Sequence, residues 1–152
     1  MMNYKEQRKS YIAACYCRLS VDDMQDGTSV SIETQKKILE DYCRNNNIAI
    51  YDFYCDDGYT GTNFNRPDFQ RLLRDAEKKQ FNMVIVKDLS RLGREYIGVG
   101  QYIEEYFPER NIRYVAINDN VDTYLDNNNN DITPFKAILN DMYAKDISKK
   151  IK

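Results

Sequence analysis

The chain has 152 residues, 42% hydrophobic and 30% charged, with a formal net charge of −2. This is enough for one domain with a real core, and it leaves nucleic-acid binding, if any, to a local basic patch rather than the whole surface. No window approaches the ~18 apolar residues of a membrane span and the polar start does not read as a signal peptide, so a cytoplasmic location is the default expectation. There is no histidine, which excludes Ser-His-Asp and Cys-His catalysis and His-ligated metals. The cysteines (Cys15, Cys17, Cys43, Cys55) include no C-x-x-C pair, so no zinc knuckle or thioredoxin motif is present.

In chain order, residues 12–17 are apolar or small and read as a buried strand, with Cys15 and Cys17 as core residues. The chain turns polar at Arg18 and Ser20. Because alternate strand residues share a face, Tyr16, Arg18 and Ser20 point the same way at the C-terminal end. A polar loop over 21–30 leads to a helix from about Ser31, its N-cap, with Glu33 in the first turn. Ile32, Gln35, Leu39, Tyr42 and Cys43 fall on one face. Gln35 is the polar member of that inward stripe, either a boundary residue or a contact of the site.

Residues 48–55 form a second strand, and 56–65 a polar loop with two glycines, the composition of a functional loop. Arg66-Pro67 opens a helix whose stripe is Phe69, Leu72, Leu73 and Ala76. A third strand over 82–86 empties into Lys87-Asp88-Leu89-Ser90-Arg91-Leu92-Gly93-Arg94. A helix over about 95–107 and a fourth strand over 112–117 follow. Residues 118–131 read as a long polar loop, and 134–152 as an amphipathic helix that stops in mid-pattern, as if continuing into further protein. The alternation predicts an α/β fold with a mainly parallel four- to five-stranded sheet, helices on both faces and right-handed crossovers.

A parallel sheet brings Arg18, Arg66, Arg91 and Arg94 to the same edge as Ser20. Arg91 and Arg94, three apart at a helix entrance, can face one anion. Without histidine, the chemistry this favours is phosphoryl transfer: guanidiniums that stay protonated stabilise a phosphorane, and their field favours the serine alkoxide.

The ordered set Tyr16-x-Arg18-x-Ser20, Gln35, Asp57-Gly58-Tyr59-Thr60-Gly61 with Arg66, and Leu89-Ser90-Arg91-Leu92-Gly93-Arg94 resembles the catalytic domain of the serine recombinases, the resolvase/invertase family. The phrasing around 56–69 and Tyr143-Ala144-Lys145-Asp146 is most similar to the large members of mobile and conjugative transposons. The resemblance implies a three-layer resolvase-like fold, with 1–134 as the catalytic domain and 135–152 as the start of an oligomerisation helix. It implies Ser20 as nucleophile on a DNA phosphodiester, a 5′-phosphoserine link, and no metal or cofactor. Arg18, Arg66, Arg91 and Arg94 would hold the scissile phosphate, Tyr16 and Gln35 would order the site, and Thr60, Lys87 and Ser90 would contact DNA. Partners would be recombination-site DNA and further copies of the chain, as dimers and a synaptic tetramer.

Two positions depart from the family pattern. Ser90 stands where small resolvases carry an aspartate, with Asp88 a differently placed substitute, and Thr60 replaces a frequent serine. Rival readings are a magnesium-dependent nuclease using Asp56, Asp57 and Asp88, a phosphoacceptor signalling domain using Asp22, Asp23 and Lys87, and a plain interaction module.

Overall fold

The computed structural model describes residues 10–20 and 30–124. Its elements are β1 (Ile12–Leu19), α1 (Ile32–Asn45), β2 (Ala49–Asp57), α2 (Pro67–Glu77), β3 (Met83–Val86) and the short α3 (Leu89–Leu92). There follow α4 (Tyr96–Gln101), a π-helical segment (Tyr102–Tyr106), α5 (Phe107–Glu109), β4 (Arg113–Ala116) and β5 (Val121–Asp122). The helix expected over 134–152, the asparagine run 127–130 and the loop carrying Asp22 and Asp23 lie outside the described residues.

The sheet order is β2-β1-β3-β4-β5, with the first four strands parallel. β1 therefore has β2 on one side and β3 on the other, and the chain reverses its direction of travel across the sheet between them. Such a switch point opens a crevice at the carboxyl ends of the two strands. Arg18 and Ser20 leave from one lip of it and residues 87–94 from the other.

Alternation along β1 assigns each face its layer. Ala13, Cys15 and Cys17 pack with Leu39, Cys43, Met83 and Ile85 beneath α1. Ala14 and Tyr16 pack with Phe69, Leu72, Val84, Val99, Ile103 and Phe107 beneath α2, α4 and α5. This is the three-layer arrangement expected, and Ser31 caps α1 as expected, its hydroxyl accepting the Thr34 N–H at 3.1 Å.

Two expectations need correction. Residues 118–131 are not one long loop, because 117–120 turn tightly, with Asn120 at φ 55°, and β5 returns antiparallel to β4. Val121, an apolar residue in that polar run, is buried and supplies the reason. The helix over 95–107 is not uniformly α. Its buried residues Val99, Ile103 and Phe107 recur every fourth position. On a 3.6-residue helix that spacing drifts about 40° per step, and the wider π segment takes up the drift.

Candidate active site

β1 runs two residues past its purely apolar stretch, and this extension carries the site. Arg18 is fully buried and Ser20 nearly so, at 0% and 5% exposure. The end of β1 is held by Gln35 from α1. Its side-chain carbonyl accepts the Arg18 N–H at 3.2 Å, and its amide donates to the Arg18 carbonyl at 3.0 Å and to Val30 at 2.8 Å. Gln35 is fully buried, so it is an interior residue of α1 and not a boundary one.

The Arg18 side chain crosses to α3 and to the loop after β2. Nε donates to the Arg91 carbonyl at 3.2 Å, Nη1 to the Tyr59 carbonyl at 3.1 Å and Nη2 to the Ser90 carbonyl at 2.5 Å. The loop passes so close that any side chain at Gly61 would displace the guanidinium. A Cβ on Gly61 would lie 2.8 Å from Arg18 Nη2 and 3.0 Å from Arg94 Cγ. The Gly61 carbonyl accepts the Arg94 N–H at 2.6 Å, which ties this loop to the end of α3.

Arg66 enters from the start of α2 and is also buried. Its nitrogens donate to the carbonyls of Asn63 (3.0 Å) and Leu92 (2.7 Å) and to the Tyr16 hydroxyl (2.8 Å). The rings of Phe64 and Phe69 lie 5.0 Å from its guanidinium carbon, where their faces attract a cation. Arg91 completes the group, with Nη1 donating to the Arg18 carbonyl at 2.6 Å. Three strand ends thus bring Arg18, Arg66 and Arg91 into one buried cluster, with Arg94 at its edge beside Gly61.

Asp56 is a site residue that sequence reasoning placed only in the nuclease alternative. It is buried, and its carboxylate accepts the Tyr16 hydroxyl at 2.8 Å and the N–H groups of Asp68 and Phe69 at 2.9 Å each. It caps α2 from a neighbouring strand, since the N-cap residue Arg66 makes no side-chain cap bond. A signal for it existed, a carboxylate at a strand end just before a helix with an uncapped start, but the contact crosses twelve residues. Burial pushes the Tyr16 phenol well above its ordinary range, with Asp56 adding to the rise and Arg66 opposing it, so the group stays protonated. With three bonds already accepted, Asp56 is not gathered with Asp88 toward a common metal. Among the described residues no three His, Cys, Asp or Glu side chains group in a way that could hold one.

Of the residues expected at DNA, Lys87 pairs with Asp88 at 3.1 Å. Ser90 donates to the Asp88 carboxylate and accepts from Arg91 Nη2 at 3.0 Å. Thr60 is half-buried beside Thr62, 3.0 Å between their hydroxyls.

Fold and site together define an α/β domain with a buried arginine cluster at the switch point of a mainly parallel sheet. The comparisons with known proteins agree. The family model "Resolvase, N terminal domain" matches residues 13–152, and the chain belongs to this family of serine recombinase catalytic domains. Membership carries site-specific DNA recombination as the general activity, with DNA binding and self-association. Among solved structures, the N-terminal catalytic domain of TP901-1 integrase is 25% identical, covers 93% of this chain and 98% of its own, and superposes with a TM-score of 0.70. A resolvase-family site-specific recombinase from Streptococcus pneumoniae, 22% identical over 93% of this chain and 91% of its own, shares the fold with a TM-score of 0.67. An immunity region protein of Bacillus phage phi105 is 30% identical over 77 residues, 51% of this chain and 93% of that protein. Among the described residues no helix is long and apolar enough to cross a membrane.

Proposed function

We propose that the Ser20 hydroxyl attacks a DNA phosphodiester. The serine oxygen forms a bond to phosphorus as the bond to the 3′ oxygen breaks. The products are a 5′-phosphoserine link and a 3′-hydroxyl, which takes up a proton as Ser20 loses one. Arg18, Arg66, Arg91 and Arg94 hold the phosphate and stabilise the charge that builds on its oxygens. Tyr16 and Gln35 fix Arg66 and the end of β1, and Thr60, Lys87 and Ser90 contact the DNA. Reversal after strand exchange rejoins the ends. The covalent link conserves the bond energy, so no metal or high-energy cofactor is required.

The observation that carries this reading is the charge left in the cluster. Arg18, Arg66 and Arg91 are all buried at one strand end, and the Arg66 donors go to neutral acceptors, the carbonyls of Asn63 and Leu92 and the Tyr16 phenol. A buried guanidinium in that state is costly unless an anion arrives. Phosphate oxygens would replace carbonyls of Tyr59, Ser90 and Leu92, so the loop over 58–65 and α3 shift as DNA enters. In this reading residues 1–134 are the catalytic domain, 135–152 begin the oligomerisation helix, the chain acts in the cytoplasm, and dimers pair into a synaptic tetramer.

The test is a suicide duplex carrying a recombination site, incubated with the full-length protein. A covalent adduct should form in the presence of chelator, mass spectrometry should place it on Ser20, and Ser20→Ala should abolish it. An adduct on another residue, or cleavage lost to chelator, would overturn the reading, the latter in favour of a metal-dependent nuclease.

A further inference from the structure

Asp88 stands one residue before α3, the position from which an aspartate ordinarily caps a helix. It does not do so here. Its side chain makes no cap bond, and the first amide of α3, Leu89 N–H, is taken instead at 2.7 Å by Asp119 from the β4–β5 turn. The Asp88 carboxylate is thereby released toward the arginine cluster. One of its oxygens accepts the Ser90 hydroxyl and lies 3.4 Å from Arg91 Nε, and the other lies 3.1 Å from Lys87 Nζ. Ser90 Oγ in turn accepts from Arg91 Nη2 at 3.0 Å. Arg91 is therefore gripped on all three nitrogens, two by the Asp88–Ser90 couple and Nη1 by the Arg18 carbonyl.

We propose that Asp88 is a positioning residue of the strand-cleavage site, acting through the Ser90 hydroxyl to fix the plane of the Arg91 guanidinium against the end of β1. The inference rests on the recombinase reading of Ser20. A planar fork recognises phosphate only in the right plane, and Arg91 is joined to its own backbone by freely rotating bonds. The Ser90 hydroxyl closes the gap between carboxylate and fork on the side that Asp88 alone does not reach. Lys87 has the complementary part. Lys87 Nζ lies 3.1 Å from the other Asp88 oxygen, so the carboxylate's charge is shared between two cations and does not fall on Arg91 alone.

The test uses single-turnover adduct formation by the full-length protein at saturating suicide substrate, alongside DNA affinity and thermal unfolding. Asp88→Asn should slow adduct formation roughly 10–100-fold, the usual loss when an orienting partner is removed. Affinity for DNA should hold within about threefold, a split that marks transition-state rather than ground-state binding. Ser90→Ala should move the rate the same way. Asp88→Asn combined with Ser90→Asp moves the carboxylate to the other member of the couple, and should recover about tenfold over Asp88→Asn alone by restoring the fork's geometry. An Asp88→Asn protein that cleaves at the parental rate overturns the proposal. So does one that is slow while Ser90→Ala is unaffected and the double variant shows no recovery. Should Asp88→Asn fail to fold, Ser90→Ala and the double variant decide the matter by the same criteria. A parent protein that forms no Ser20 adduct would remove the recombinase reading itself, whereas an active parent with an indifferent Asp88→Asn removes only this proposal.

Discussion

Two sets of arginines in this domain are satisfied in different ways. Arg71 lies between Asp52 (2.8 Å) and Asp68 (3.3 Å), Arg110 pairs with Glu77 at 2.7 Å, and Arg113 grips Asp122 with two nitrogens at 2.6 and 2.9 Å. Arg66, in the buried cluster with Arg18 and Arg91, is more deeply buried, yet its own donors go to the carbonyls of Asn63 and Leu92 and to the Tyr16 phenol. A carboxylate partner cancels charge and fixes structure; a carbonyl satisfies the donors and leaves the charge standing. For Arg113, burial disfavours the cation but the Asp122 carboxylate more than offsets it, and its pKa rises. On the function proposed above, the difference separates arginines that hold the fold from those that hold a place for a phosphate.

The largest test of that division is truncation within the buried cluster and at its edge. Arg18→Ala, Arg91→Ala and Arg94→Ala should each lower strand cleavage by several orders of magnitude, at least the roughly 10²–10³ expected for one lost stabiliser of developing charge, with the fold retained by circular dichroism. Near-parental cleavage from any two would end the distinction. Lysine at these positions should substitute poorly, because it offers a point charge in place of a fork. The reverse pattern is expected for Arg113→Ala. Chemical denaturation should show a loss of about 2 kcal/mol, the scale of hydrogen bonds to a charged group, with cleavage unchanged.

A smaller effect sharpens the role of Asp88, which lies between the two sets. Burial would raise its pKa, but the Ser90 hydroxyl, Arg91 and Lys87 outweigh it and hold the carboxyl below its ordinary value. A depressed carboxylate contributes stability that is complete above the unfolded pKa of about 4 and is lost as pH falls through the lower folded value. Asp88→Asn should therefore flatten the acid limb of the stability curve, and unchanged acid unfolding would contradict this. The smallest effect is expected at Tyr114, which is fully buried beside Phe107 and whose hydroxyl finds no hydrogen-bond partner among the described residues. Tyr114→Phe removes an unsatisfied group and should be neutral or stabilising by up to about 1 kcal/mol in thermal unfolding.

Much of this was legible in the residues themselves. The apolar runs at 12–17 and 83–86 located the central strands, the stripe from Ile32 to Cys43 located α1, and a parallel sheet was enough to send Arg18, Arg66 and Arg91 to one edge. What could not be read depends on distant contacts. Val121–Asp122 is too short for period-two alternation, and it becomes a strand only because β4 offers an open edge. The cap on α2 comes from Asp56, and the amide at the start of α3 is satisfied by Asp119, thirty residues downstream. Nothing in the local pattern around Arg18 indicates that its donors would be met by Tyr59 and Ser90.

The π-helical segment has a consequence for chain length. A π turn is an α-helix carrying one additional residue, so shortening 102–106 by one would leave a continuous helix rather than a break. Everything beyond it would rotate by about 100° around the axis, carrying Phe107 off its stack on Tyr114 and Arg110 away from Glu77. The surplus residue acts as a phase adjuster, allowing both ends of one helix to meet the same sheet.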